Sequence, residues 1–574
     1  VLRIPRDKLD LEIWIKEVTD ECMASEPERA ISYSRAAQYY YAGTYGQNPS
    51  IYNKTKGFID RLAGFLMQPT DVRFSVLYDT SETDSVLERA QLVSEKLTAD
   101  YRNSDSDVTF AESVTWSYVN GCHLLKHFPE GDTFRLGPVH PQNFGVLSES
   151  ILNLDEQEVF VHITYPTMSR LKDVLEEHPH RERILKRIAE ATSEKDKEDR
   201  STYFHQMVVG GMSPVGSSGD PPSSASGIVN VFPIPAPWRP RKNIAPTLKH
   251  VEMWIKDADR QGDYTTIQFL YPDIILEGDV TRRNLSRVPG HHPFVKIQGA
   301  PTPGYFWGRS LIADIQQLQD VLSKRMRDLK ILWDRNVAAP MALSGYTSIT
   351  EEQYLKLLSE GGFINDPNPN AKASPLLQPM PEGYMQEIQF LMELFDEASG
   401  FSPVMSGQGD TGVRAGVHAQ TLVRTSSPRL IDQAARIERQ LAQSGYLSLR
   451  IMQAMDPSIY ETSDNKIQFI LKDLPGDFQV QVDSHSASPA FAEDNRQVAI
   501  ALARAGAIDA EDLIHMLHPP GAELLLSRLR QRQKKQAQMA QAEKAEQFTR
   551  DILHMPDRSQ GGGGHKKRGG SAGG

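Results

Sequence analysis

The chain has 574 residues, a formal net charge of -11, 39% hydrophobic and 24% charged residues, and two cysteines. That length exceeds the ~250 to 300 residues at which single cores split, so several sub-domains are expected, and the balance of apolar and charged residues excludes wholesale disorder. Cys22 and Cys122 have no CxxC or Cys/His ladder around them, which excludes a disulfide framework and a zinc knuckle and makes both small buried hydrophobes. The stretch VLRIPRDKLDLEIWIKEV has charges in every turn, unlike a signal peptide, and no run reaches the ~18 apolar residues of a membrane span.

In chain order, helical spacing is predicted over 27–43 and 51–68, where Ile59, Leu62, Phe65 and Leu66 share a face, and the alternation in DVRFSVLYD predicts a strand. Helices follow at 84–101 and 109–120, strands at 134–147 and 158–164, and a capped helix from Ser169 to Glu177 carrying Leu171, Val174 and Leu175. Residues 208–230, rich in Gly, Ser and Pro, have the composition of a long loop or an inserted hairpin tip. Strands return at 251–257, 264–276 and 293–298.

The chain then changes character. Leu311, Ile315, Leu318, Leu322, Met326, Leu329 and Trp333 are spaced 4, 3, 4, 4, 3, 4, an apolar stripe on one helix ~37 Å long. Asp314, Gln317, Asp320, Lys324, Arg327 and Asp328 lie on its other face. Such a stripe serves either a core helix with a solvated outside or a helix packed beside copies of itself in a ring. A turn-rich module follows at 336–380 with one short helix at 350–359, and then a second helix over 382–399 with Tyr384, Ile388, Leu391 and Phe395 on one face. Beyond a glycine loop, a long helix is predicted over 416–455 with the stripe Leu430, Ala434, Ile437 and Leu441, and Pro428 either kinks it or marks its true start. Strands at 467–472 and 478–484 are joined across LPGD, residues 489–555 are helical with a break at HPPG, and GGGGHKKRGGSAGG is linker-like.

Charge is unevenly spread. Eleven Lys/Arg stand against four acids between Arg528 and Arg568, a net of +7 that leaves the remainder at -18. An acidic body with a basic end repels polyanions over most of its surface and meets them at one place.

The loop SGQGDTGVRAGVHAQT, residues 406–421, contains GQGDTG and so fits the G-x-G-x-x-G spacing of a dinucleotide turn. That function needs a strand before the glycines and a βαβ unit around them, whereas an amphipathic helix and SGFSPVM precede Gly407. Asp432 lies at the right distance for a ribose ligand but inside a predicted helix. A Walker A loop is excluded because Val413-Arg414 stand where Lys-Ser/Thr is required. What remains is a loop with Gly407, Gly409, Gly412 and Gly416, costly to order until something contacts it, or a plain surface connection between helices. His178/His180, His291/His292 and His515/His518 lack carboxylate or Cys partners at ligand spacing and read as surface or capping histidines. Asp105 and Asp107 lack the Gly and Glu of a calcium loop, and GxSxG, HExxH and Cys-His nucleophile pairs are absent. The chain is read as no enzyme, with no catalytic residues, cofactor or metal.

Taken in this order, over roughly 30–540, the elements resemble the portal protein of tailed double-stranded DNA phages. The residues that carry the resemblance are GRSLIADIQQLQDVL, similar to the family's G-x-S-x-x opening of a stem helix, EASGFSPVMSGQGDTGVRAGVHAQT, similar to the end of a stem helix followed by a loop, and NKTKGFIDRLAGFLMQPTDVRFSV. The resemblance implies an α+β, multi-domain subunit: a mixed wing (1–308), a stem helix (309–335), a clip (336–380), a second stem helix (381–400), a tunnel loop (401–416), a wing segment with a long helix and strands (417–488), a helical crown (489–555) and a flexible tail (556–574).

It further implies a dodecameric ring at the portal vertex of the virion, assembled in the host cytoplasm, with double-stranded DNA in its channel. Its implied partners are the terminase large subunit, head-tail adaptor or tail proteins, and major capsid and scaffolding proteins. Leu311, Ile315, Leu318, Leu322, Met326 and Leu329 would pack the stem. Gly407, Gly409, Asp410, Gly412, Arg414 and His418 would line the channel, with Arg414 as the cation for phosphate, Asp410 as a compensating repulsion, and His418 adding charge below neutral pH or merely starting a helix. Arg528, Arg530, Arg532, Lys534 and Lys535 would form a basic patch on the crown, near packed DNA, or a solvated helix face. An acidic body suits a conduit, because each neutralised phosphate adds affinity that stalls movement. Two alternatives stay open: another ring or adaptor component of a virion, and an enzyme of unrecognised type whose glycine loop covers a pocket.

Overall fold

The computed structural model describes residues 7–44, 50–67, 72–78, 84–166, 249–256, 263–271, 290–337, 341–344, 372–375, 379–399, 428–456, 458–461, 468–473, 478–482 and 499–506, with isolated residues between and beyond them. The chain divides into two compact units, Val1–Ala490 and Phe491–Gly574. Its architecture mixes helices with several small sheets, an α+β arrangement.

The first element, α1 (Lys8–Cys22), is absent from the sequence-based expectation because exposed Leu9 and Ile13 blur its amphipathic pattern. Asp7 caps it by accepting from the Leu9 amide, and Leu11, Ile15, Val18 and Cys22 recur on its inner face at helical spacing. They cover one face of an antiparallel five-stranded sheet, order β4-β5-β6-β7-β8: β4 (Phe144–Val146), β5 (Val159–Thr164), β6 (His250–Lys256), β7 (Tyr264–Leu270) and β8 (Ile274–Ile275). Strand alternation sends Val159, Val161 and Ile163 to that face and Phe160 and Trp254 to the other, where they meet Phe144, Phe294, Phe306 and Trp307. With both faces buried, β5 and β6 read as near-continuous apolar runs rather than as half-exposed strands.

Helices α2 (Glu26–Ala42), α3 (Lys54–Leu66), α4 (Asp84–Asn103) and α5 (Ser106–Asn120) match four sequence-based expectations within a few residues. A three-stranded sheet follows, order β3-β2-β9, from β2 (His123–Glu130), β3 (Thr133–Val139) and β9 (Phe294–Ile297). The single strand expected over 134–147 is split at Pro141, which sits in a 3-10 turn capped by His140, so its two halves join different sheets. The strand expected over 264–276 likewise folds back as β7 and β8.

Strand β2 escaped expectation because polar residues are buried on both of its faces, His123 and His127 on one and Lys126 on the other. Each has a specific environment. The Lys126 ammonium donates to Glu252 on β6, which also faces His162, so the pair ties the two sheets together. Burial disfavours the Glu252 carboxylate, but the bonds and charges of His162 and Lys126 overcome it and hold the carboxyl well below its usual range. His127 Nδ1 lies 3.2 Å from the Pro293 carbonyl and Nε2 2.9 Å from Ser444 Oγ. A carbonyl only accepts, so the ring proton resides on Nδ1 and the imidazole is satisfied as a neutral group. Cys22 and Cys122 are free and buried, as expected, and burial pushes the Cys22 thiol up to about 12.

The remaining strands pair differently from the sequence reading. β14 (Phe478–Val482) does not form a hairpin with the strand before LPGD; it pairs antiparallel with β1 (Phe74–Tyr78). Its expected partner, β13 (Gln468–Ile470), pairs with β12 (Ile459–Glu461) instead. A 3-10 turn at Leu471–Asp473 ends β13, and distant β1 supplies the alternating apolar face that matches Phe478 and Val480. His292 corrects a further expectation, since it is buried among Phe160, Tyr264 and Phe294 rather than at the surface. The expected helix at 169–177 and the loop at 208–230 lie outside the described residues.

Candidate functional site

The segment most distinct from this body is a helical hairpin. It consists of α6 (Ile312–Val337) and α7 (Tyr384–Ser399), and between them β10 (Met341–Ser344) and β11 (Lys372–Pro375) form an antiparallel ribbon. Of the short helix expected at 350–359, residues 352, 353 and 356 are helical, Thr350 is not, and the rest lie outside the described residues.

The entry to α6 explains the GRS triplet. Gly308 has φ +68° and faces Gly121, φ +98°, so two left-handed backbones meet with no side chain between them. A Cβ on Gly308 would lie 2.2 Å from Gln298 Nε2 and 2.7 Å from the Gly121 carbonyl oxygen. Ser310 then accepts from the Ile312 amide at 3.1 Å, and the Leu311 amide donates to the Tyr118 carbonyl. The first turn of α6 is thereby tied to the end of α5.

The inner half of α6 is joined to α2 and α3 through polar groups. Gln319 is fully buried, and its Oε1 accepts from Lys54 N (3.0 Å), Thr55 N (3.1 Å) and Thr55 Oγ1 (3.2 Å). Its Nε2 donates to Ser50 Oγ, Tyr52 O and Ser323 Oγ. Asn53 caps the next amide of α3, Lys56 N, so the exposed end of one helix is closed by a glutamine from another. Tyr39 donates to Asp320 at 2.7 Å, and Lys54 Nζ reaches the Met392 carbonyl at 2.6 Å and Asp396 at 3.1 Å. Replacing Gln319 by Leu, similar in size, removes six hydrogen bonds and leaves two helix-end amides without a partner. The expected cost is about 3 kcal/mol, read from the denaturation midpoint, with Ser323→Ala losing about 1 kcal/mol as a milder comparison. A Gln319→Leu midpoint equal to that of the unmodified chain would show that this joint is not stabilising.

Past Ser323, α6 finds partners on α7. Arg325 Nε pairs with Glu387 at 2.8 Å, and Tyr384 donates to the Arg325 carbonyl. The predicted stripe is real as a stripe, but its partner is in the same chain: Ile315, Leu322 and Leu329 are buried with Ile388, Leu391 and Phe395, and Leu318 and Met326 pack partly against them. Of the two readings the stripe left open, these contacts within the chain are those of a core helix. Leu311 sits lower, where it lines a cavity of about 60 Å³ with Phe58, Leu62, Leu430, Asp314 and Gln433. Trp333 departs from the stripe and is 54% exposed, because α7 begins at Tyr384 and leaves the last turns of α6 uncovered.

The helix expected over 416–455 is described from Pro428 onward as α8 (Pro428–Met455), where proline at the first position needs no amide partner. Gly407, Gly409, Asp410, Gly412, Arg414 and His418 lie outside the described residues. In the second unit, Arg528, Arg532 and Lys535 are helical and exposed at spacings that share one face, while Arg530 and Lys534 lie outside the described residues. No group of three or more His, Cys, Asp or Glu suited to a metal occurs among the described residues. No described helix is long and apolar enough to cross a membrane.

No protein-family model matches the chain, and no curated protein matches it. Among solved structures, a chain of the neck of a native GTA particle, computed with C12 symmetry, is similar over 84% of this chain and 92% of that chain. The identity is 11% and the TM-score 0.36, and a likeness at that score carries no argument about function.

Proposed function

We propose that the chain is a portal subunit, one member of a ring that forms a DNA channel at a capsid vertex and docks a packaging motor and then a tail or adaptor. The observation that supports this reading most is the hairpin α6–α7. A mixed α/β body sends out two long antiparallel helices, stiffened by an apolar seam, and the chain between them makes a small β ribbon. This order of body, stem and ribbon is the one the resemblance implies. The reading assigns translocation energy to a separate ATPase and gives the subunit the role of conduit. The roles of 401–416 and of the basic run at 528–535 rest on the resemblance and on charge.

The test is the assembly state of the purified full chain, by mass photometry and negative-stain imaging. Closed rings near twelve subunits with a central hole are expected. A monomer or dimer at every concentration and salt would overturn the reading and return attention to an enzyme of another kind.

A further inference from the structure

If α7 of the same chain covers the α6 stripe, any contact between neighbouring hairpins must use other faces. The two outer edges differ in charge. Between Lys324 and Arg335, α6 carries five Lys/Arg and two Asp, whereas α7 carries four acids and no Lys or Arg. Some of these charges are spent inside the subunit, Arg325 on Glu387 and Lys54 on Asp396. Helical spacing from the buried stripe puts Lys324, Ile331 and Arg335 on the side of α6 away from α7, and Gln389, Glu393 and Glu397 on the side of α7 away from α6. All six are exposed. Apolar surface accompanies the charge: Ile331 is 49% and Phe390 58% exposed.

We propose that the α6 edge of one subunit, through Lys324 and Ile331, packs on the α7 edge of a second copy of this chain, through Glu393 and Phe390. This rests on the ring reading above and names the surface that closes the ring. A contact between two α6 edges sets cations against cations, and a contact between two α7 edges sets acids against acids. The head-to-tail pairing alone brings unlike signs together, and a heterologous contact of that kind propagates from copy to copy, into a ring where its rotation closes, rather than stopping at a dyad-related dimer. The levels are close: Arg325 lies opposite Glu387, so Lys324 stands about 7.5 Å from Glu393 along the hairpin, within reach of two long side chains.

Charge reversal tests it. Lys324→Glu and Glu393→Lys each place like charges across every contact in the ring, while the double variant restores an unlike pair with its direction inverted. Each single variant is expected to need at least tenfold more protein for half-maximal assembly by mass photometry, and the double variant to return to within about threefold of the unmodified chain. Both positions are exposed, so unchanged circular dichroism and melting of the unassembled subunit show that folding is intact. Phe390→Ser should weaken assembly without rescue by either charge change. Single variants that assemble like the unmodified chain, or a double variant no better than the worse single one, would overturn this interface while rings of the unmodified chain left the portal reading standing. An unmodified chain that never assembles overturns both.

Discussion

Lowering the pH from 7 to 5 is expected to cost the folded body at least about 6 kcal/mol, about 2 kcal/mol from each of three buried imidazoles, with a further loss from His162, His250 and His291, which burial also lowers. Burial pushes His123 and His140 down to about 3 and His127 to about 4. His140 is lowered further by the nearby His123 and Arg29. In the unfolded chain the same rings titrate near 6.5, so below that pH the unfolded state binds protons that the folded state refuses. The contribution of each ring is complete above about 6.5 and is lost progressively as the pH falls towards the folded value. Buried carboxylates such as Glu252, whose folded value is depressed, lose their contribution only at lower pH, so the interval from 6.5 to 5 isolates the imidazoles. Denaturation midpoints at pH 7, 6 and 5 measure the effect. His123 offers a clean control, because neither ring nitrogen has a hydrogen-bond partner among the described residues: His123→Leu should remove about 2 kcal/mol of the pH dependence and be the more stable protein at pH 5. A midpoint that stays level between pH 7 and 5 would mean that these rings reach solvent.

Gly308→Ala is expected to cost about 3 to 5 kcal/mol, combining the strain of a left-handed residue with an overpacked contact. The added methyl group meets Gln298 and the Gly121 backbone, and neither is the free end of a flexible side chain, since Gln298 Nε2 donates to the Gly121 carbonyl. Gly304 separates the two contributions. It has φ +71°, nearly the same backbone, but open space where its Cβ would be, so Gly304→Ala should cost only about 1 kcal/mol. Equal losses at the two positions, measured by denaturation, would show that backbone strain alone matters and that the Gly121–Gly308 contact is loose.

Much of the helical framework was legible because amphipathic spacing survives in a single chain. The stripe on α6 and the faces of α3, α7 and α8 were read from periodicity, and Pro428 was read as a possible start. What periodicity does not reveal is the partner that a stripe meets. Leu322 has the same spacing whether Leu391 comes from the same chain or from a copy. Gln319 was not singled out for a related reason: it lies on the flank of the stripe, and only its closeness to Lys54 and Thr55, far away in sequence, makes it the hub of the joint. The nearest signal was Ser323, a small polar residue one turn further along the same flank. α1 and β2 were missed for opposite reasons, one because exposed Leu9 and Ile13 blur its amphipathic pattern, the other because buried histidine and lysine imitate a surface strand.

The polar joint at Gln319 also has a mechanical meaning. From Ser323 to Val337 the hairpin extends ~21 Å beyond its anchoring bonds, so a tilt of 5° at the joint displaces its tip by roughly 2 Å. An apolar joint permits such sliding at little cost, since dispersion contacts have no preferred direction. Six directional bonds converging on one amide do not, and they fix the angle at which the hairpin leaves the body. In the closed ring proposed above, an angular error would be repeated at every step around the circle, and the joint is where that error would be kept small.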